Sequence, residues 1–304
     1  MALTVVGCGY TGRRLAERCR HKGEDVIALV RSSASREALD LLTIAAHRLN
    51  LDEAVDGGLP GRFTAGRRLV YMVPPSGQGA ADERMARFVE ALTAPPACFV
   101  YLSTTAVYGD RGGATVDEDA RPAPSSDRGR RRLDAEHRAL ACGRETGVPV
   151  RILRVPGIYG PGRLPLERLR RGAPVLAPDP SRPGNRIHVD DLGRVILAAI
   201  RYTGSRTIFN VGDGDPMDTG SFAQAVAREA GLPAPPTRSL AEMIEAAGPM
   251  GREFLSESRR LDTRRMREEL GFTPRYGDPV AGIRASLDES GPWMPDPADR
   301  ASAI

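Results

Sequence analysis

Leu3-Thr4-Val5-Val6-Gly7-Cys8-Gly9-Tyr10-Thr11-Gly12-Arg13-Arg14-Leu15-Ala16 decides how this 304-residue chain is read. A β-branched run meets three glycines spaced GxGxxG, and helix formers follow at once. Glycines at these positions permit a tight turn, close approach of an anion to backbone N–H groups, and close packing of helix on strand. The helix N-terminus adds partial positive charge. A glycine turn without a ligand is the simpler alternative, but a second strand-like run, Val26–Val30, follows at the distance a βαβ unit requires. The loop is therefore read as a dinucleotide cradle formed by Gly7, Gly9, Tyr10, Thr11 and Gly12.

Working outward, short β-branched runs alternate with helical patterns through the first half, the pattern of a parallel sheet. Strands are expected at Leu3–Val6, Val26–Val30, Ala45–Leu49, Leu69–Val73, Phe99–Leu102 and Val150–Leu153. Helices are expected at Thr11–Arg20, Ala34–Leu41, Ala80–Ala91 and Ser126–Arg144, the last introduced by a proline stop and a serine cap. Beyond Arg154, proline and glycine become frequent. A helix is expected at Val189–Arg201, a strand at Thr207–Val211, and smaller helices at Gly220–Ala230 and Thr263–Leu270. The proline-interrupted tail Trp293–Ile304 is expected to fray. The predicted fold class is α/β: a Rossmann-type doubly wound parallel sheet over residues 1–155, with a smaller C-terminal substrate lobe drawn mainly from 156–304. The segment near 207–211 is expected to return to the main sheet.

Composition narrows the function classes. The chain is 41% hydrophobic and 27% charged, enough for a sizeable core. No apolar run approaches the roughly 20 residues of a bilayer span, and nothing near Met1 resembles a signal peptide. Cys8, Cys19, Cys98 and Cys142 are scattered without CxxC pairing, which fits a reducing, cytoplasmic setting. The four histidines stand apart from each other and from any cysteine pair, so no metal site is expected. The net charge of +4 comes from arginines interleaved with acids, a solvated surface rather than a nucleic-acid face. A monomer or homodimer acting on a small-molecule substrate is the expected assembly.

The second strand ends in Leu29-Val30-Arg31-Ser32-Ser33, where an acid would ordinarily meet the ribose hydroxyls of NAD. An arginine with hydroxyl neighbours instead suits a 2′-phosphate through charge-assisted hydrogen bonds. Arg31 and Ser32 thus point to NADP (NADPH), with NAD the less favoured cofactor.

Several later motifs resemble the extended, epimerase/dehydratase-type short-chain dehydrogenases. Leu102-Ser103-Thr104-Thr105-Ala106-Val107-Tyr108-Gly109 is similar to their serine/threonine-rich strand end. Arg154-Val155-Pro156-Gly157-Ile158-Tyr159-Gly160-Pro161-Gly162 is similar to their nicotinamide-side loop, and Arg186-Ile187-His188-Val189-Asp190-Asp191 to a later helix start. Phe209-Asn210-Val211-Gly212-Asp213-Gly214 and Glu269-Leu270-Gly271-Phe272-Thr273-Pro274 follow in the family's order. The GxGYxG loop and Tyr71-Met72-Val73-Pro74-Pro75 resemble an atypical subgroup of that family. The resemblance implies that Val73, Pro74, Pro75, Ser103, Pro156 and Ile158 border the cofactor, and that Thr104 hydrogen-bonds the reacting oxygen.

One departure is chemical. The family's Tyr-x-x-x-Lys pair falls at Arg128 and Arg132, and no shift of alignment restores it, because Lys22 is the only lysine and Arg18 precedes it by four. Arg132 retains the capacity to hold ribose hydroxyls. A guanidinium does not shuttle protons at any working pH. Candidates for the missing catalytic groups are Thr104 and Tyr108, with Tyr108, Tyr159, Arg163, Arg186 and His188 facing the substrate. For an oxidoreductase acting on a small carbonyl, imine or alcohol, reduction of the carbonyl or imine needs chiefly orientation and a proton, whereas a nucleotide-sugar epimerase or dehydratase also needs a base. An NADP-dependent reductase is therefore the leading expectation, ahead of a nucleotide-sugar epimerase/dehydratase and of a cofactor-binding regulator without turnover.

Overall fold

A computed structural model describes residues 1–288; the expected fraying of Trp293–Ile304 lies outside the described residues. In chain order the first half runs β1 (Ala2–Val6), α1 (Tyr10–His21), β2 (Asp25–Val30), α2 (Ser33–Asp40), β3 (Ala45–Arg48), β4 (Arg68–Tyr71), α3 (Glu83–Glu90), β5 (Cys98–Thr104), β6 (Thr115–Val116), α4 (Asp127–Thr146) and β7 (Val150–Val155). The second half continues β8 (Gly157–Tyr159), α5 (Leu166–Arg170), β9 (Val175–Leu176), β10 (Arg186–His188), α6 (Val189–Arg201), β11 (Ile208–Asn210), α7 (Thr219–Glu229), β12 (Thr237–Arg238), α8 (Leu240–Ala246), α9 (Pro249–Ser256), β13 (Arg260–Leu261), α10 (Arg264–Glu269) and α11 (Pro279–Asp288).

Seven strands form one parallel sheet in the order β11-β7-β5-β4-β1-β2-β3. The order reverses between β1 and β4, which opens a crevice at their carboxyl ends. β5 and β7 are buried along nearly their whole length, as expected of parallel strands covered on both faces. Alternation then divides the core. Val100 and Leu102 join one apolar cluster with α1 and α6, while Phe99 and Tyr101 join another with α3 and α4. α1 turns Gly12, Leu15, Ala16 and Cys19 inward, and α6 turns Leu192, Val195, Ile196, Ala199 and Ile200 inward, each set at helical spacing.

Outside the sheet, β8 pairs with β10, β9 with β12 and β13 with β6, so chain segments far apart in sequence are tied together as a smaller C-terminal lobe. α3 starts three residues later than its apolar pattern suggests, because the buried Asp82 side chain accepts from the N–H groups of Arg84 and Met85 and so fixes the first turn. No helix among the described residues is long and apolar enough to cross a membrane. All four cysteines are buried and unbridged.

Candidate functional site

The glycine loop joins β1 to α1 at the crevice. Gly7 has φ +84°, and a Cβ there would lie 2.8 Å from the Val73 backbone nitrogen, so only glycine fits. A Cβ on Gly12 would lie 3.1 Å from both the Gly7 carbonyl oxygen and Val5 Cγ1, where helix meets strand. Gly9 differs: its Cβ would meet nothing within 4 Å. The middle glycine therefore borders open space at the helix N-terminus, where α1 has neither a capping side chain at Gly9 nor an acid in its first turn. This is the cradle that a pyrophosphate would fill, and the residues present fit a dinucleotide. The Tyr10 hydroxyl donates to the Pro161 carbonyl at 3.0 Å, and its ring lies 4.1 Å beneath the Arg163 guanidinium. The cradle is thereby fastened to the loop after β8.

At the end of β2 the structure reassigns the residues singled out for a 2′-phosphate. Arg31 Nη1 donates to Asp52 at 3.3 Å, and Asp52 also accepts from Arg84 Nε at 2.6 Å. The Arg84 hydrogen bond, reinforced by Arg31, holds the Asp52 carboxyl below its ordinary range, so it remains a charged partner. Arg84 continues to the carbonyls of Pro74 and Pro75 at 2.9 and 3.3 Å, which braces the loop after β4. Ser32 is the N-cap of α2, accepting from Ser35 N–H at 3.1 Å.

Past β5, Thr104 Oγ1 accepts from Ala106 N–H at 3.3 Å, which leaves its hydroxyl proton available for donation. Tyr108 is fully buried. Its phenol donates to Asn210 Oδ1 at 2.7 Å, Arg154 stacks 4.7 Å over its ring, and burial pushes its pKa up to about 12. It braces β11 rather than facing the crevice. Ser103 is likewise engaged, donating to Glu136 Oε1 at 2.5 Å, while Arg154 clasps both oxygens of Glu136 at 3.1 and 2.8 Å. This buried fork locks α4 to the carboxyl ends of β5 and β7. Arg132, on the same helix, donates to the Leu102 carbonyl at 3.1 Å and the Tyr101 hydroxyl at 3.3 Å. Pro156 follows β7, and Ile158 lies in β8 opposite Ile187.

In the C-terminal lobe, His188 is the N-cap of α6, with Nδ1 accepting from Asp190 N–H and Nε2 3.2 Å from Ser286 Oγ. That cap is structural work. Arg186 donates to the Met217 carbonyl and stacks over Phe222, yet its Nη1 is buried without a hydrogen-bond partner, as are Tyr159 OH and Asp213 Oδ2. Burial raises the Tyr159 phenol and pushes Asp213 up to about 7, although Arg186 pulls Asp213 the other way. Arg186 and Asp213 line a cavity of about 50 Å³ with Thr263 and Arg260. Asn210 and Asp213 fall in a motif that the sequence marks by its order, not as site residues, whereas Glu136 and Asp52 are isolated acids without a spacing signal that only their partners mark.

Comparison with known proteins is consistent with this geometry. Residues 83–212 match the NAD dependent epimerase/dehydratase family. A solved, functionally unknown conserved protein from Silicibacter pomeroyi DSS is 30% identical over 95% of this chain and 98% of its own, with a TM-score of 0.78. The chain has an NAD(P)-dependent epimerase/dehydratase-like, extended short-chain dehydrogenase fold. It is 28% identical to the dTDP-6-deoxy-L-talose 4-dehydrogenase (NAD(P)(+)) of Kitasatospora kifunensis, over 88% of this chain and 89% of the relative. The UDP-glucuronic acid 4-epimerase of Bacillus cereus, solved in complex with NAD, shares the fold at 18% identity and a TM-score of 0.72, covering 95% of this chain and 98% of its own.

These findings correct the expectation of NADP. The family relatives solved with cofactor include the NAD complex just described, and the talose dehydrogenase's name admits either nicotinamide. The physical reason is local: the Arg31 charge is already met by Asp52, and the Ser32 hydroxyl is already a helix cap.

Proposed function

We propose that this protein is an NAD-dependent oxidoreductase acting on the sugar of a nucleotide sugar. The observation that carries the reading is the open face of Gly9 at the N-terminus of α1, in a chain that aligns with a nucleotide-sugar 4-dehydrogenase over nearly its whole length. This moves the substrate away from the small carbonyl expected at first and toward the nucleotide-sugar alternative. When bound, the nicotinamide supplies or accepts the hydride. The protein's share is orientation, which alone contributes several kcal/mol.

Thr104 is the residue we assign to the reacting oxygen, since its hydroxyl proton remains available at the carboxyl end of β5. Arg132 holds the base of this subsite through the Leu102 carbonyl. Tyr108 takes no part in proton transfer in this reading, because its phenol is buried and bonded to Asn210. A reduction needs a proton that water beside Thr104 can provide, while epimerisation or dehydration needs a base that neither Arg128 nor Arg132 can be.

The test is to incubate the protein with NADH or NAD⁺ and a panel of UDP- and dTDP-sugars, including 4-keto forms, following nicotinamide absorbance and sugar products. Stoichiometric NADH oxidation with a keto sugar supports the reductase. Epimer formation without net NADH change favours the epimerase reading instead. Absence of any nucleotide-sugar binding by the NAD-loaded protein refutes the substrate class.

A further inference from the structure

The first turn of α4 carries an exposed cation, Arg128. Arg128 is exposed, and among the described residues it makes no hydrogen bond or ion pair within contact distance. Its position is nevertheless well determined. Ser126 caps α4 by accepting from Gly129 N–H at 3.2 Å. Gly129 is packed so closely that a Cβ would lie 2.8 Å from Pro124 and 3.1 Å from the Ala106 carbonyl oxygen. One turn later Arg132 is tied to the end of β5. Arg128 therefore stands beside the segment that follows Thr104, at the carboxyl end of β5.

The electrostatic surroundings of that cation are unfavourable. Partial burial lowers the Arg128 pKa, and the charges of Arg132 and Arg131 lower it further, while Glu253 on α9 works the other way. Arg131 donates to the Gly79 carbonyl, and Arg132, whose Nε is buried without a hydrogen-bond partner, has its charge met by the Tyr101 hydroxyl and by nearby Asp82, so neither is a partner for Arg128. Arg128 stands one turn before Arg132 on the same helix face, an exposed guanidinium with no ion-pair partner among the described residues. The cofactor's pyrophosphate does not meet this need. It belongs at Gly9 over β1, and β4 lies between β1 and β5 in the sheet.

We infer that Arg128 is a specificity residue that binds a carboxylate on the substrate's sugar, so that the preferred substrate is a nucleotide-linked sugar acid. A guanidinium offers a planar fork that matches a carboxylate with two parallel hydrogen bonds. The location selects the sugar over the carrier diphosphate as the source of the anion, because the adjacent Gly129 packs on Ala106, two residues past Thr104, the residue assigned to the reacting oxygen. The inference rests on the nucleotide-sugar reading for the carrier but not for the carboxylate.

Calorimetric titration of the NAD⁺-loaded protein with UDP-glucuronate, UDP-glucose, UDP and D-glucuronate tests it. UDP-glucuronate is expected to bind about 10- to 100-fold more tightly than UDP-glucose, the worth of a charged hydrogen-bonded pair. Arg128→Gln is expected to reduce that difference to less than about threefold, and Arg128→Lys to keep part of it. Unchanged thermal melting of both variants checks that the fold is intact. Equal binding of the two UDP-sugars by the unmodified protein overturns the inference. Parallel loss of UDP affinity in Arg128→Gln also overturns it, by placing the guanidinium on the diphosphate. Binding of D-glucuronate without any UDP-sugar retains the carboxylate site and refutes only the nucleotide carrier, whereas failure of both glucuronate forms to bind refutes the carboxylate site.

Discussion

Replacing the loop glycines one at a time separates folding from cofactor binding. At Gly7, alanine meets two penalties: a left-handed φ of +84° and a Cβ 2.8 Å from the Val73 backbone nitrogen. The first costs about 1–2 kcal/mol. Relief of the clash requires movement between β1 and the loop after β4, at about 1–3 kcal/mol. Gly7→Ala is therefore expected to lower the cofactor-free melting temperature by roughly 4–10 °C, at about 2 °C per kcal/mol for a chain of this size. Gly9 has φ −82°, and its Cβ meets nothing within 4 Å. Gly9→Ala should leave the cofactor-free melt within about 1 °C, a stability change of under about 0.5 kcal/mol. Yet it should weaken NADH by roughly 10- to 100-fold, because the added methyl occupies the space through which a phosphate approaches the backbone. Differential scanning fluorimetry without cofactor and fluorescence titration with NADH give the two readouts. A Gly9→Ala protein that melts several degrees lower, or binds NADH as well as the parent, would refute the cradle assignment.

Other outcomes follow from the same structure. Glu136→Gln removes the charge that meets buried Arg154 and should destabilise the fold by about 3–5 kcal/mol, measured by urea denaturation; a loss under about 1 kcal/mol would show that the fork contributes little. Tyr108→Phe deprives Asn210 of its donor and should cost about 1–3 kcal/mol while changing kcat by less than about tenfold, so a larger loss of turnover with unchanged stability would return the phenol to the chemistry. Folded Asp213 keeps its proton to about pH 7, whereas an unfolded aspartate releases it near 3.8, so the folded form binds more protons between those values. Stability should accordingly fall as pH rises through that window, by at most about 4 kcal/mol, and Asp213→Asn should flatten the profile; an Asn variant with the parent's pH dependence would exclude Asp213 as its source. Finally, NADH should bind at least as tightly as NADPH, and a titration showing NADPH preferred by tenfold or more would contradict the pairing of Arg31 with Asp52 as the deciding feature.

Much of the architecture was legible in residue order alone. The alternation of β-branched runs and amphipathic helices, together with the glycine spacing at 7, 9 and 12, sufficed for the parallel sheet and the cradle, because backbone geometry and hydrophobic periodicity are local properties. The absence of a Tyr-x-x-x-Lys pair was equally plain, since Lys22 is the only lysine. What a side chain does once the chain has folded is set by partners distant in sequence. Arg31 suited a phosphate until Asp52, 21 residues on, was found bonded to it. Tyr108 suited proton donation until Asn210, 102 residues on, took its hydroxyl. Ser103 met Glu136 on α4, and Arg186 and Asp213 came to line one cavity, each with one buried polar atom unsatisfied, through tertiary contacts that no spacing rule foretells. Sequence determined which groups could form charged and polar contacts; tertiary structure decided which of them were already engaged, because a buried donor or acceptor is held by whichever partner the fold brings within reach.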